Sequence, residues 1–175
     1  MSGPQPSPPA RVVVMGVSAV GKSTVATCIA AASGFSFVDA DELHPAANIA
    51  KMAAGVPLED GDRWPWLDRV GATLAAAPPP GIVIACSALT RAYRDRIRVA
   101  APDAFFVFLD GAPDVLHARA AARTGHFMPA ALLDSQLALL EPLQADERGV
   151  RIDVVAPIDQ VCAGAVAAVC ADGRS

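Results

Sequence analysis

Residues 11–23 read RVVVMGVSAVGKS, and this stretch decides the fold. Residues 11–15 are a run of largely β-branched side chains closed by a glycine, which predicts a strand buried on both faces. Residues 16–23 fit the pattern G-x-x-x-x-G-K-[ST] of a loop that cradles phosphate groups. A helix is predicted over Lys22–Ser33, ended by Gly34. The loop therefore lies between a strand and a helix, as its pattern requires.

The phosphate loop predicts a nucleotide site. Gly16 and Gly21 permit backbone angles that let amide groups wrap an anion, and the following helix N-terminus adds unpaired N–H groups. Lys22 is expected to reach the outer phosphates and to act in catalysis, and the Ser23 hydroxyl is expected to ligate Mg²⁺. The alternative is a glycine turn with an incidental Lys-Ser pair. The full set of expected nucleotide-binding residues is Gly16, Val17, Ser18, Ala19, Val20, Gly21, Lys22, Ser23 and Thr24.

Strand and helix patterns alternate along the rest of the chain. Further strands are predicted at 35–39, 82–86, 105–109 and 150–155, and further helices at 45–54, 63–77, 91–101, 113–123, 129–140 and 158–171. This alternation predicts an α/β fold with a parallel sheet and right-handed crossovers. Residues 1–10 are proline-rich and are predicted to be a disordered tail, whereas residues 11–175 are predicted to form one domain.

Composition excludes several classes of protein. The formal net charge of −4 argues against a nucleic-acid partner, and the chain has no run of 18 apolar residues that would cross a membrane. Cysteines stand at positions 28, 86, 162 and 170, without a CxxC pair or a histidine at metal-ligand spacing. Buried reduced thiols are therefore expected rather than a disulfide or a zinc site, which points to the cytoplasm.

Two carboxylates end the second predicted strand. Asp39 and Asp41 fall at the edge of the sheet where open α/β folds bind ligands. Asp41 is expected to accept the proton of a hydroxyl that attacks the terminal phosphate, and Asp39 to hold a metal-bound water. The alternative is a pair of turn or cap aspartates.

Two absences narrow the class of enzyme. The chain has no N-K-x-D guanine signature, and no aspartate ends the third predicted strand. The metal's acidic partner must then come from elsewhere, and Asp39 is the nearest candidate. This arrangement suits small-molecule kinases better than GTPases or motor ATPases.

The residues that follow Asp39 form a long and unusual pattern. The sequence DADELHP at 39–45, with Asn48, Lys51, Gly55, Asp62 and Arg63 and then PWL at 65–67, resembles the signature of the bacterial-type gluconokinases. The segments CSAL at 86–89, YRD at 93–95, GHF at 125–127 and ADER at 145–148 match the same family. The resemblance covers nearly the whole chain, from Arg11 to about Gln160.

This resemblance implies a fold like that of shikimate and nucleoside-monophosphate kinases. That fold is a three-layer P-loop NTPase with a five-stranded parallel sheet of order 2-3-1-4-5, flanked by helices, and a short lid at about 119–143. The resemblance also implies ATP, Mg²⁺, transfer of phosphate to the 6-hydroxyl of D-gluconate, and a homodimer. One departure concerns the loop, which reads Ser18-Ala19-Val20 where the family usually has Ser-Gly-Ser.

The substrate that this resemblance implies is a carboxylate on a polyol chain, so its site would need a cation and several hydrogen-bonding groups. Arg63 is the first candidate for the acid group, because a similar arginine binds carboxylate in shikimate kinases; its alternative is a pairing with Asp60 or Asp62. His44 is expected to bond a sugar hydroxyl or else to cap a helix. Lys51 is expected to share that face or else to be a solvated lysine. Further candidates are Ser87, through its backbone, and, more weakly, Arg94.

The lid prediction depends on a cluster of basic residues. Arg119 and Arg123 are four residues apart on one helix face, and His126 follows beside Gly125. In related kinases this region closes over ATP and neutralises charge on the transferred phosphoryl group. The alternative is a pair of arginines that stabilise a helix C-terminus. Two other functions stay open: a kinase of another hydroxy acid such as shikimate, and a non-catalytic nucleotide-binding protein.

Overall fold

The computed structural model of the chain describes residues 10–123 and 129–173. The predicted tail up to residue 9 and two predicted lid residues, Gly125 and His126, lie outside these ranges. The strands are β1 (Ala10–Met15), β2 (Ser36–Asp39), β3 (Gly81–Ala85), β4 (Phe105–Asp110) and β5 (Gly149–Asp153). The helices are α1 (Lys22–Ser33), α2 (Ala46–Ala53), α3 (Asp60–Ala75), α4 (Arg91–Ala100), α5 (Pro113–Ala122), α6 (Ala130–Leu139) and α7 (Ile158–Asp172). None of these helices is both long and apolar enough to cross a membrane.

The strands form one sheet in the order β2-β3-β1-β4-β5, with parallel pairing throughout. This confirms the predicted fold class and strand order. In the registers, Ala85 lies opposite Val14 on one side and opposite Asp39 on the other. The carboxyl ends of β1, β2 and β3 therefore meet at one edge of the sheet.

The core lies on both faces of this sheet, because side chains alternate along each strand. From β1, Val12 and Val14 pack toward α1 and α7 with Ile29 and Ala165. On the other face, Val13 and Met15 belong to a second cluster, with α3 and α4 contributing residues such as Leu67 and Ile97. The molecule thus has three layers, and the unbroken apolar run of β1 is explained by burial on both sides.

Most predicted helix ends agree with the structure. Helix α1 spans the predicted residues, and Gly34 follows it at a φ of 70°. Helix α4 begins at the predicted Arg91, where the Thr90 side chain accepts a hydrogen bond from the Tyr93 amide. Helix α3 instead begins at Asp60, earlier than the predicted Arg63, because Glu59 and Asp62 form a reciprocal capping box.

A short 3₁₀ helix, Ala40–Leu43, was not predicted from the sequence. It fills the connection between β2 and α2, and the Asp39 side chain accepts a hydrogen bond from the Asp41 amide at its start. A segment of this length is too short to show helical periodicity in its side chains.

The prediction of reduced thiols is wrong for two of the cysteines. Cys28 of α1 and Cys162 of α7 are joined in a disulfide, with their Cα atoms 5.9 Å apart. These residues are separated by 134 positions in the chain, so only the packing of α1 against α7 brings them together. Cys86 agrees with the prediction, since it is a free thiol buried at the end of β3. Burial raises the pKa of this thiol to about 12.

A fully buried ion pair holds the connections around α4 in place. Arg94 and Glu147 have no exposed side-chain area, and their charged atoms lie 2.7 Å apart. The other guanidinium hydrogens of Arg94 go to the carbonyl oxygens of four loop residues, namely Ala88, Leu89, Glu141 and Pro142. Arg98 also binds Glu147. This network joins the loop after β3 to the segment between α6 and β5.

We expect Glu147→Gln to lower the free energy of unfolding by about 3 kcal/mol at pH 7, because Arg94 would stay buried without its counter-charge. In the native chain burial acts to raise the pKa of Glu147, but hydrogen bonds from Arg94, the Gln144 amide and Arg98 lower it from 4.5 to about 2. The stability that this carboxylate supplies is therefore complete above pH 4.5 and is lost as the pH falls toward 2. Urea unfolding across this pH range measures both effects.

The matched control is Glu42→Gln, which makes the same chemical change at an exposed position. We expect a change of less than about 0.5 kcal/mol for this variant. A Glu147→Gln protein as stable as the control at pH 7 would contradict the role given to the buried pair.

Candidate active site

The loop between β1 and α1 has the backbone of an anion cradle. Gly16 and Gly21 have φ angles of 143° and 101°, and the amide of Gly16 is bonded to the Ser87 carbonyl oxygen. A side chain at position 16 would place its Cβ 2.6 Å from the Leu109 carbonyl oxygen, so only glycine fits there. Ala19 has a φ of 65°, a left-handed conformation that costs a residue with a side chain about 1 kcal/mol. The loop thus keeps its shape despite the alanine.

Lys22 is the first residue of α1 and directly follows Gly21 of the phosphate loop. Its ammonium donates to the Val17 carbonyl oxygen at 3.0 Å. Burial lowers the pKa of Lys22 from 10.5 to about 8, although Cys86, Asp41 and Asp39 act in the opposite direction. The charges of both candidate carboxylates therefore act on this lysine.

Asp39 and Ser23 come together across the cleft. One carboxylate oxygen of Asp39 lies 3.5 Å from the Ser23 hydroxyl, and the other accepts from the Asp41 amide at 3.0 Å. The alternative of a cap aspartate is therefore correct for one oxygen of Asp39. Its second oxygen remains directed at the loop, where a hydroxyl and a carboxylate oxygen face each other. Both are ligand types that Mg²⁺ prefers.

Asp41 lies on the short 3₁₀ helix beyond Asp39. Its residue is exposed, and within residues 10–123 and 129–173 no hydrogen bond or ion pair engages its carboxylate. Its charge acts on both Lys22 and His44. A carboxylate so placed can receive a proton from a substrate hydroxyl at the same edge that holds the phosphate loop.

His44 follows the 3₁₀ helix and is 8% exposed. Its ring stacks on Trp66 of α3, and its Nδ1 lies 3.2 Å from the side-chain nitrogen of Asn48. Burial lowers the pKa of His44, against the raising effect of the Asp41 charge. His44 is thus the C-cap residue of the 3₁₀ helix, and its ring is also held by Trp66 and Asn48.

The two candidate cations for the substrate carboxylate both have acidic partners. Lys51 contacts both carboxylate oxygens of Asp62 at 2.8 Å. Arg63 donates to Asp60 at 3.1 Å and to the Tyr93 hydroxyl at 3.2 Å. Within residues 10–123 and 129–173, both hydrogen bonds of Arg63 use Nη1, so its Nε and Nη2 hydrogens are available to an acid group. Lys51 is instead held in a structural ion pair.

The other two residues that were predicted to bind substrate, Ser87 and Arg94, lie in different surroundings. Ser87 lies directly after β3, and its carbonyl oxygen receives the Gly16 amide, so its backbone supports the phosphate loop. The prediction that Arg94 binds substrate is wrong, because this side chain is fully buried and its donors are used by Glu147 and by loop carbonyl oxygens. Its sequence position gave no sign of this burial.

The predicted lid residues are described only in part. Arg119, in the last turn of α5, donates to the Val154 carbonyl oxygen beyond β5. Arg123 ends that helix, is exposed, and lowers the pKa of Lys22 through its charge. The structure therefore places Arg123 within electrostatic reach of the phosphate loop, whereas Arg119 contacts the segment between β5 and α7. His126 lies outside the described residues.

Two polar residues at the site were not selected from the sequence. Gln136 of α6 accepts the Ser18 amide of the phosphate loop at 2.7 Å, across 118 positions of the chain. No local signal could have indicated this contact. Asn48 is 3% exposed and bonds His44. Its spacing of four residues from His44 was a usable signal, but a buried asparagine is usually assigned to packing.

Comparison with known proteins agrees with this site. Residues 12–143 match the family described as "AAA domain". The chain is 43% identical over 164 residues to the thermosensitive gluconokinase of Escherichia coli (strain K12), covering 90% of this chain and 87% of that protein. It is 46% identical over 148 residues to the gluconokinase of Gluconobacter oxydans (strain 621H), covering 82% of each.

A solved structure of a gluconokinase is also similar to this chain. The crystal structure of a gluconokinase from Sinorhizobium meliloti 1021 matches with a TM-score of 0.86 and 46% identity, over 95% of this chain and 94% of that one. The match thus covers nearly the whole of both chains. The chain therefore belongs to the gluconokinase family.

Proposed function

We propose that this chain transfers the terminal phosphoryl group of ATP to the 6-hydroxyl of D-gluconate. The observation that carries the proposal is the meeting of the phosphate loop, Lys22 and the Asp39–Asp41 pair at one edge of the sheet. Family membership adds the substrate, since the relatives that match most of the chain are gluconokinases. The phosphate loop follows β1 and the proposed base follows β2, and both lie at the carboxyl edge of the sheet, on either side of β3.

The phosphate loop and the start of α1 bind the nucleotide tail. Amides around Gly16 and Gly21 and the charge of Lys22 bind and orient the phosphates. Ser23 and Asp39 are the residues that would hold Mg²⁺, since their oxygens lie 3.5 Å apart. When bound, Mg²⁺ supplies charge neutralisation at the phosphate oxygens.

Asp41 acts as the general base in this proposal. The exposure of Asp41 and the effect of its charge on Lys22 support this role. As the substrate hydroxyl attacks the phosphorus, Asp41 takes the hydroxyl proton on a carboxylate oxygen. Arg123 then stabilises charge on the transferred group, and Arg119 contributes from the same helix as part of a lid.

The acid end of the substrate is assigned to Arg63. This arginine keeps donors beyond those used by Asp60 and Tyr93, and it lies at the start of α3, next to the segment that carries His44. A planar guanidinium suits a carboxylate because it donates two parallel hydrogen bonds. The homodimeric state and the cytoplasmic location stay predictions.

The first test is a substrate panel with the purified chain, ATP and Mg²⁺. We expect ADP release with D-gluconate and little with shikimate or with other sugar acids, because Arg63 and His44 fit an acid on an open polyol chain. NMR of the product should place the phosphate on the 6-oxygen. Release of ADP with another acid, and none with gluconate, would overturn the assigned substrate.

The second test concerns the base. We expect Asp41→Asn to lower kcat by a factor of about 10² to 10⁴, because the amide cannot accept the hydroxyl proton. ATP affinity should change little, since Asp41 does not touch the loop. Glu42→Gln, at the adjacent exposed position, is the control and should keep near-native turnover. Native turnover in Asp41→Asn would remove its assigned role.

The third test uses the pKa of Lys22. With a value of about 8, this lysine loses its proton as the pH rises through that value, whereas bound phosphate requires the charged form. We expect nucleotide affinity, measured by calorimetry, to fall about tenfold between pH 7 and pH 9. Lys22→Arg keeps its charge throughout and should show no such fall. A flat profile for the native chain would contradict the assignment of the titration to Lys22.

A further inference from the structure

The ring of His44 is fixed in orientation by α3. Its centroid lies 4.3 Å from that of the Trp66 ring, and the two planes are inclined by only 14°. The Trp66 indole nitrogen in turn donates to the Ala40 carbonyl oxygen at 2.7 Å. Because this bond holds Trp66 in place, rotation of His44 out of the stack would lose the contact between the two rings. Its two ring nitrogens therefore point in set directions.

Asn48 determines which hydrogen-bonding role each nitrogen has. Its side-chain nitrogen lies 2.9 Å from the Asp62 carbonyl oxygen and 3.2 Å from His44 Nδ1. A carbonyl oxygen only accepts, so the Asn48 atom beside it must be the NH₂ group and not the amide oxygen. One amide hydrogen goes to Asp62 and the other to His44. Nδ1 is therefore an acceptor without a proton.

The ring proton must then be on Nε2. No residue within 10–123 and 129–173 accepts a hydrogen bond from this nitrogen, and the histidine keeps a small exposed fraction of 8%. A doubly protonated ring would bring two N–H groups together at Nδ1, which the Asn48 contact opposes. Burial acts in the same sense, since it lowers the pKa of His44.

We propose that Asn48 is a positioning residue that holds His44 as a neutral Nε2–H donor toward an acceptor oxygen of the sugar acid. The inference rests on the proposed function and deepens it. It separates two roles at the carboxyl end of β2, with Asp41 as the base and His44 as a donor only. It also states the direction of the bond: the substrate oxygen at this position accepts a hydrogen.

Charged groups from each neighbouring element act near this ring. The 3₁₀ helix supplies Asp41, whose charge favours a protonated ring. Helix α3 supplies Asp62, whose carboxylate is paired with Lys51 of α2. Because that pairing neutralises the Asp62 charge, Asp41 is the main group that opposes the neutral form.

The direct test is ¹⁵N–¹H NMR of the histidine side chains of the whole chain. The sequence has three histidines, so His44 is assigned by its loss in His44→Gln. We expect the native spectrum at pH 7 to show His44 neutral, with its proton on Nε2. A proton on Nδ1, or a charged ring at that pH, overturns the inference. This measurement is independent of turnover, so its outcome is distinct from failure of the gluconate assignment.

The second measurement uses Asn48→Asp. A carboxylate at this position accepts from Nδ1, so we expect the His44 proton to move to that nitrogen at pH 8, leaving Nε2 without a hydrogen to donate. The KM for gluconate should then rise about tenfold, while the KM for ATP stays within about twofold. At pH 6 the ring of this variant is charged and donates again, so part of the loss should be recovered.

The matched control is Ile49→Asp, which adds the same charge at the adjacent position of α2, where the side chain is exposed. We expect native KM values for this variant. A shifted tautomer in Asn48→Asp without any change in the KM for gluconate would show that the donor is not used. If Asn48→Asp does not fold, Asn48→Ala replaces it: a mixture of both tautomers supports the inference, and an unchanged Nε2–H form overturns it.

Discussion

The site depends on one constraint, the parallel pairing of β1 with β3 and β4. Parallel strands end at the same edge, so the registers place Gly16, Cys86 and the end of β2 side by side. Gly16 also packs so closely against the Leu109 carbonyl oxygen of β4 that a Cβ at position 16 would clash with it. The phosphate loop is therefore in contact with β4 as well. Without this alignment the loop and the carboxylates would be separate features of the chain. With it, they form one cleft.

Polar contacts around this edge fix the connections that the sheet leaves unsupported. The Arg94–Glu147 pair holds the segment after β3, whose Ser87 carbonyl oxygen receives the Gly16 amide. Gln136 reaches the same loop from α6. Buried charge is costly unless it is fully paired, and here all donors of Arg94 find partners. The phosphate loop is therefore supported from α6 as well as from the sheet.

The carboxylates at the end of β2 and in the segment that follows it have different partners. Asp39 uses one oxygen to cap the 3₁₀ helix and directs the other at Ser23. Asp62 is taken up by Lys51 and by the capping box of α3, which keeps it out of the cleft. Asp41 is left exposed. The same acidic segment thus supplies a cap, a metal-ligand candidate and a candidate base, and the partners of each carboxylate distinguish them.

The sequence by itself determined the elements, the phosphate loop and the Asp39–Asp41 pair, because local periodicity and a motif of fixed spacing do not depend on distant contacts. The strand order was implied by the family resemblance and not by any local pattern. Only the tertiary structure decided that Arg94 is buried, that Cys28 meets Cys162, that Gln136 bonds the loop and that Lys51 is paired with Asp62. These contacts join elements far apart in the chain. Their geometry follows from how helices pack on the sheet, which no local pattern of residues encodes.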